Sequence, residues 1–239
     1  MDGSNSKTAL VTGASRGLGL ALAHELARRG WRLVIDARGA PALDVAAAEL
    51  ARVTEVRALA GDVTDSHHVA SLVRAAEELG GLDALINNAG ILGPSPQPEL
   101  KVYPLDVLEA VFRTNVLAPL RLIQATYPLF KPDARIVNVT SDAAVEAYPG
   151  WGGYAGAKAA LEQISAVLAV EDPSLRIYWV DPGDMRTQMH QDAFPGEDIS
   201  DRPLPEESVP GFIELLEGTH PSGRHAARDL PFAPAGSRR

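Results

Sequence analysis

The 239-residue chain is expected to fold as a doubly wound α/β domain, a parallel sheet with helices on both faces. Three observations predict this class. Short apolar runs recur along the sequence, separated by longer segments of helical period. The strand-like runs are too uniformly apolar to alternate, which suits strands covered on both faces. A glycine-rich turn follows the first run and opens the first helical segment, as in a Rossmann-like βαβ unit.

Taken in order, Thr8 to Val11 reads as a buried strand, and Leu18 to Arg29 as a helix with Leu18, Leu22 and Leu26 spaced by four. Leu33 to Ile35 is a second strand and the alanine-rich stretch from Pro41 to Arg52 a second helix. Val56 to Leu59 reads as a strand, Val69 to Leu79 as a helix, and Ala84 to Ile86 as a strand. Leu105 to Phe130 is expected as one long helix or a kinked pair, followed by a strand from Arg135 to Val139. Tyr154 to Val170 is helical, Ile177 to Val180 a strand, and Phe212 to Leu216 a short helix. Residues 189–210 carry Pro195, Pro203, Pro205 and Pro210 and are expected to form a long loop, a lid over the substrate. Residues 231–239 read as a frayed tail. With no repeat and no linker, residues 1–239 are expected to form a single domain.

Composition narrows the function. Hydrophobic residues make up 46% and charged residues 22%, an ordinary globular balance. The net charge of −9, with no Lys/Arg block, argues against nucleic acid as a partner. The chain has no cysteine, which removes disulfides, thiolate nucleophiles and cysteine-based metal sites, and no metal is expected. No apolar run approaches the length of a membrane span, and the polar start lacks a signal-peptide core. A cytoplasmic protein without a membrane partner is expected.

Gly13-Ala14-Ser15-Arg16-Gly17-Leu18-Gly19 has the spacing G-x-x-x-G-x-G. Glycines let the backbone turn sharply and approach a ligand, and the following helix start offers N–H groups and a positive dipole end to a phosphate. Gly13, Ser15, Arg16, Gly17, Leu18 and Gly19 are therefore candidate dinucleotide contacts. The same residues fit G-x-S-x-G, which would make Ser15 the nucleophile of an α/β serine hydrolase. That remote alternative lacks an earlier strand to supply an oxyanion loop, and none of His67, His68, His190, His220 and His225 sits in a triad context.

Tyr154 and Lys158 stand four residues apart, so on a helix they share a face. An ammonium beside a phenol is expected to stabilise the tyrosinate and bring the phenol toward the range of acid–base catalysis. Ser141 follows the Arg135–Val139 strand, at the sheet edge where open α/β folds bind ligands, and its hydroxyl can donate to a carbonyl oxygen as charge develops there.

With these motifs in register, the chain resembles the short-chain dehydrogenase/reductase family in its compact single-domain form. Further matching motifs are Asp62-Val63, Asn88-Ala89-Gly90, Asn115, and Pro182-Gly183 with Thr187. The resemblance implies hydride transfer between a nicotinamide dinucleotide and a small carbonyl or alcohol substrate. Tyr154 would be the general acid–base, Ser141 would polarise the carbonyl, Lys158 would hold the nicotinamide ribose, and Asn115 would support a water relay. Asp62 and Val63 would contact the adenine, Asn88, Ala89 and Gly90 the adenosine side, and Pro182, Gly183 and Thr187 the nicotinamide. It also implies a homodimer or homotetramer built through the long helix and the Tyr154 helix. Asp142 and Ala143 after Ser141, Asp181 before Pro182, and the absence of a closing Asp-Gly-Gly depart from the family pattern. These departures motivate an alternative, a dinucleotide-binding sensor or interaction protein with little catalysis.

The cofactor preference turns on the end of the second strand. The family's NAD-selecting acid falls 24 residues after Gly13, where this chain has Ala37, followed by Arg38. Arg38 and Arg16 suit a 2′-phosphate, and Asp36 is expected to face away, so NADP(H) is favoured over NAD(H). His67 and His68 diverge on their helix and are expected to be solvated. Trp151 is read equally as pocket wall or packing, and Met185 and Met189 as substrate contacts or core.

Overall fold

The computed structural model describes residues 6–230, so the expected tail at 231–239 lies outside the described residues. Seven strands form one sheet: β1 (Thr8–Val11), β2 (Arg32–Ala37), β3 (Val56–Ala60), β4 (Leu82–Asn87), β5 (Phe130–Val139), β6 (Arg176–Asp181) and β7 (Gly223–Ala226). Their order is β3-β2-β1-β4-β5-β6-β7, and every neighbouring pair is parallel. The order reverses between β1 and β4, which opens a crevice beyond the carboxyl ends of the strands.

Among the described residues there are eight α-helices: α1 (Gly17–Arg28), α2 (Ala40–Leu50), α3 (Ser66–Glu78), α4 (Leu105–Phe112), α5 (Ala118–Thr126), α6 (Gly152–Glu171), α7 (Gln188–Ala193) and α8 (Val209–Glu217). The apolar strands feed two cores because successive side chains point to opposite faces. Ala9 and Val11, with Leu33 and Ile35, pack against α1 and α8. Leu10 and Val34, between them in sequence, pack against α3 and α5. Phe212, Leu215 and Leu216 of α8 are fully buried in the first core.

The segment expected as one long helix is a pair, α4 and α5, joined by a π-helical turn over Arg113–Leu117. Pro119, which has no N–H to donate, sits in the first turn of α5. The pair ends earlier than expected, since Phe130 already belongs to β5. The expected loop at 189–210 carries most of the short helix α7, whose start Thr187 caps by accepting from the His190 N–H at 3.3 Å. Strand β7 has no counterpart in the sequence reading.

Helix α6 is tied to the sheet by a buried polar chain. Asn87 Nδ2 donates to Asn138 Oδ1, and Asn138 Nδ2 to Ser165 Oγ on α6, both at 2.8 Å. Ser165 Oγ donates onward to the Leu161 carbonyl at 2.7 Å, so the chain is satisfied throughout. The register places Val11 beside Ile35 and Ile86, and Val139 beside Val180. Residues 12–19, 88–90, 140–142 and 181–183 therefore leave the sheet along one edge. Among the described residues, no helix is long and apolar enough to cross a membrane.

Candidate active site

The glycine turn is shaped by backbone that side chains would forbid. Gly13 and Gly17 adopt φ of +67° and +57°. A Cβ on Gly19 would lie 2.4 Å from the Gly13 carbonyl oxygen and 2.5 Å from Asn88 Nδ2. Helix α1 starts here with no side-chain cap, so its first N–H groups point at a cradle that only glycine leaves open. An anionic dinucleotide linker fits that donor set.

Two further loops lock the turn. Thr12 Oγ1 accepts from the N–H groups of Asn88 and Ala89 at 3.0 Å each. Asn88 Nδ2 donates back to the carbonyls of Thr12 and Gly13, at 2.8 and 3.2 Å. From below, the buried Asp36 carboxylate accepts from the Gly13 N–H and from His68 Nε2, both at 3.0 Å. Both Asp36 oxygens are thus engaged within the protein. His68 is not solvated, because it packs over Gly61 and spends its ring nitrogen on Asp36; His67 is exposed.

Arg16 and Arg38 are exposed beside this turn, and Ala37 is buried. Arg38 lies close enough to Asp62 to act on its ionisation. Burial opposes the Asp62 charge, but bonds from Thr64 and the Arg38 and His68 charges together hold the carboxyl below its usual range. Val63 is buried, as is Leu18 at the start of α1, while Ser15 is half-buried. No hydrogen bond joins Ser15 to a histidine among the described residues. Thr187 closes the turn from above: its Cγ2 lies 3.6 Å from where a Gly17 Cβ would stand.

The second half of the site lies at the end of β5. Lys158 Nζ, buried, donates to the Val139 carbonyl at 2.7 Å and lies 5.5 Å from the centre of the Tyr154 ring. A Cβ on Gly90 would lie 3.9 Å from that ammonium and 3.3 Å from Asn115 Oδ1. Asn115, in the π-helical turn, clamps Ile91: its Nδ2 donates to the Ile91 carbonyl at 2.8 Å and its Oδ1 accepts the Ile91 N–H at 2.9 Å. Tyr154 is buried with Leu92 and Ala143, next to Trp151 and Met189. Tyr154, Lys158, Asn115 and Gly90 thus share one side of the crevice. Pro182 and Gly183 leave β6 on the same edge, with Ser208 Oγ donating to the Pro182 carbonyl at 2.7 Å.

Electrostatics correct one expectation. Burial raises the Tyr154 phenol above its ordinary range, and the Asp181 and Asp142 carboxylates raise it further. Burial also lowers Lys158 to about 8, against the pull of Glu162. The phenol therefore stands above its ordinary range despite the lysine beside it, raised by desolvation and two carboxylates. A phenol held protonated remains a proton donor.

Ser141 Oγ donates to Asp142 Oδ1 at 2.8 Å and accepts from the Ala143 N–H at 3.2 Å. Asp142 Oδ2 accepts from Tyr148 at 3.0 Å. Trp151 packs among aromatic rings: it meets Tyr154 edge-on at 5.9 Å and Phe194 at 5.8 Å. Met189 packs in this cluster and Met185 against the main core. The 189–194 segment is pinned across the crevice by Ser95 Oγ, which donates to the Asp192 carbonyl at 2.6 Å. Sequence reasoning missed Arg224, on β7, whose guanidinium reaches Ser141, Glu162 and Asp181. Among the described residues, no group of three or more His, Asp or Glu could hold a metal ion.

A family model described as short chain dehydrogenase matches residues 7–198. The chain is 35% identical over 196 residues to sepiapterin reductase from Xenopus laevis, covering 76% of this chain and 74% of that protein. It is 35% identical over 204 residues to an NADP-dependent 3-hydroxy acid dehydrogenase from Schizosaccharomyces pombe, covering 81% and 77%. A short-chain dehydrogenase from Shigella flexneri 2a, solved in complex with NADP, superposes with a TM-score of 0.85 at 30% identity, covering 94% of this chain and 98% of that one.

Gly19→Ala is expected to force the turn apart, since the obstructing atoms are largely backbone. Dinucleotide affinity, read by fluorescence titration, should fall at least about tenfold, equivalent to about 1.4 kcal/mol. Unchanged affinity would mean that the cradle is not the binding site.

Proposed function

The chain belongs to the short-chain dehydrogenase/reductase family, and from that premise we propose that Tyr154 is the general acid–base in hydride transfer between NADP(H) and a carbonyl or alcohol substrate. The observation that carries this reading is the convergence of Tyr154, Lys158 and Ser141 at the sheet edge that also bears the glycine cradle. Gly13, Ser15, Gly17, Leu18 and Gly19 hold the dinucleotide linker, with Thr187 closing over it. Asp62, Val63, Asn88, Ala89 and Gly90 line the adenosine side, and Pro182 and Gly183 the nicotinamide side.

The bound nicotinamide supplies or accepts the hydride. Lys158 points its ammonium past Gly90, where a ribose hydroxyl would meet it, while its bond to Val139 fixes the helix. In reduction, Tyr154 gives its phenolic proton to the substrate oxygen, and Ser141 donates a hydrogen bond to the same oxygen. In oxidation Tyr154 receives that proton. Asn115 keeps the Ile91 backbone in place beside Gly90, where a water could link it to Lys158. The 189–210 segment, with Phe194 and Met189 near Trp151, serves as the lid of a single-domain enzyme, and its shedding of water favours the transfer. The intact Ser141, Tyr154 and Lys158 set speaks against a non-catalytic sensor.

NADP(H) is preferred over NAD(H). Asp36 is occupied by Gly13 and His68, which leaves Arg16 and Arg38 to meet a 2′-phosphate. The NADP dependence named for the Schizosaccharomyces relative and the NADP in the Shigella structure support this preference. Exposed Leu105 on α4, Leu117 in the π-helical turn and Val170 on α6 support a homodimer or homotetramer through these helices.

Tyr154→Phe is expected to lower kcat by about 10²-fold or more while NADPH binds within a few-fold of wild type; retained turnover would remove Tyr154 from the chemistry. Replacing Arg16 and Arg38 together by alanine should weaken NADPH at least about tenfold and spare NADH, by fluorescence titration of each. Equal losses for both cofactors would place the arginines elsewhere than at the 2′ position. Sedimentation equilibrium at micromolar concentration should find a dimer or tetramer, and a monomer there would refute the assembly.

A further inference from the structure

We propose that Arg224, on the last strand, is a positioning residue that holds the Ser141 backbone in place and offsets the carboxylates around Tyr154. The proposal rests on the catalytic roles given above to Ser141 and Tyr154. Three consecutive residues at the end of β5 are each fastened. The Val139 carbonyl accepts from Lys158, Thr140 Oγ1 donates to Glu162 Oε1 at 2.8 Å, and the Ser141 carbonyl accepts from Arg224 Nη2 at 3.2 Å. Lys158 and Glu162 both stand on α6, one turn apart. Arg224 Nε reaches the same Glu162 oxygen at 3.1 Å, and its Nη2 lies 3.5 Å from Asp181 Oδ2.

The guanidinium therefore bridges four elements: the segment just after β5 through Ser141, the end of β6 through Asp181, β7 through its own backbone, and the middle of α6 through Glu162. A planar fork can do this where a point charge cannot, because its donors leave in fixed, diverging directions. Glu162 and Asp181 are mostly enclosed, with side chains 12% and 13% exposed, so the cation they share is weakly screened. The Ser141 carbonyl belongs to the peptide that joins Ser141 to Asp142, so anchoring it fixes the backbone from which both side chains project.

The charged and titratable groups around the phenol are Asp142 after β5, Asp181 at the end of β6, Lys158 and Glu162 on α6, and Arg224 on β7. His190 on α7 and Tyr148 approach through Phe194 and Trp151. Arg224 and Lys158 are the arginine and lysine of this set. Loss of Arg224 leaves Asp181, Asp142 and Glu162 less compensated, which disfavours the tyrosinate and moves its ionisation upward.

Arg224→Met tests the proposal in the full-length enzyme. The expected result is a kcat at least about tenfold lower, from loss of alignment, with the NADPH dissociation constant by fluorescence within a few-fold of wild type. The ascending limb of the oxidation pH profile, where activity rises as Tyr154 loses its proton, should move up by about half a unit or more. Arg224→Lys should return the limb toward wild type while kcat stays low, since the charge is kept and the fork lost. A folded Arg224→Met protein whose kcat and pH limb match wild type would overturn the proposal. Should that variant not fold, Glu162→Gln decides: it releases the guanidinium from α6 and should lower kcat to an intermediate level, and an unchanged kcat would overturn the proposal. Tyr154→Phe, assayed alongside, separates the two readings. Turnover retained there defeats the catalytic assignment itself, whereas an inactive Tyr154→Phe beside an unaffected Arg224→Met defeats only the role of Arg224.

Discussion

The hydrogen bond from Lys158 Nζ to the Val139 carbonyl fixes where chemistry can occur in this molecule. An ammonium buried without an acceptor is costly, and burial has already pulled this one down to about 8. The carbonyl at the end of β5 accepts from it, so helix α6 can pack on the sheet in one rotational setting only. One turn earlier on the same helix, Tyr154 is carried to the carboxyl edge beside Ala143 and Leu92. The Asn87–Asn138–Ser165 chain repeats the constraint two turns further along, and Glu162 repeats it between them. Helix α6 is thus held to the sheet by polar contacts at successive turns, each of which fails if the helix rotates.

The opposite wall of the crevice is built on a different principle. There the backbone itself is the ligand-facing surface, and side chains serve to hold it open. Thr12 and Gly13 exchange four hydrogen bonds with Asn88 and Ala89 between two loops, and Asp36 with His68 supports the turn from beneath. Burial raises the Asp36 carboxyl, while His68 and the Gly13 N–H favour its charged form. Each Asp36 oxygen is thus engaged in supporting the turn. Under the proposed NADP(H) preference, support of the turn and cofactor selection would be linked through this one residue.

Much of this was legible in the sequence. Six of the seven strands could be read because buried parallel strands must be apolar on both faces, the glycine and serine motifs fell at strand ends, and the Tyr-x-x-x-Lys motif fell on the helix after β5. Strand β7 could not, because Gly-Arg-His-Ala has neither β-branched nor aromatic residues other than the histidine, and its pairing with β6 is a long-range contact. Arg224 was hidden with it. His68 was misjudged because its angle to His67 says nothing about Asp36, 32 residues away and on another element. The Tyr154 ionisation was misjudged for a related reason. The Tyr–Lys spacing reveals the one helpful charge, whereas desolvation and the carboxylates of Asp142 and Asp181 come from the tertiary fold.

Asp142 gives the serine a specific constraint. The Ser141 hydroxyl spends its proton on Asp142, whose Oδ1 also holds the Ala143 N–H at 2.8 Å. A neutral substrate carbonyl is a weaker acceptor than that carboxylate, since bonds to charged groups are worth roughly twice those between neutral ones. The serine therefore gains little by turning toward a ground-state carbonyl. In the proposed reaction, negative charge developing on the carbonyl oxygen would make it a comparable acceptor, and only then would redirecting the proton cost little. An interaction that strengthens with developing charge lowers the barrier without tightening substrate binding. The acidic neighbour of the serine, which departs from the family's usual small apolar residue, is thus compatible with catalysis: it weakens the ground-state contact more than the one made in the transition state.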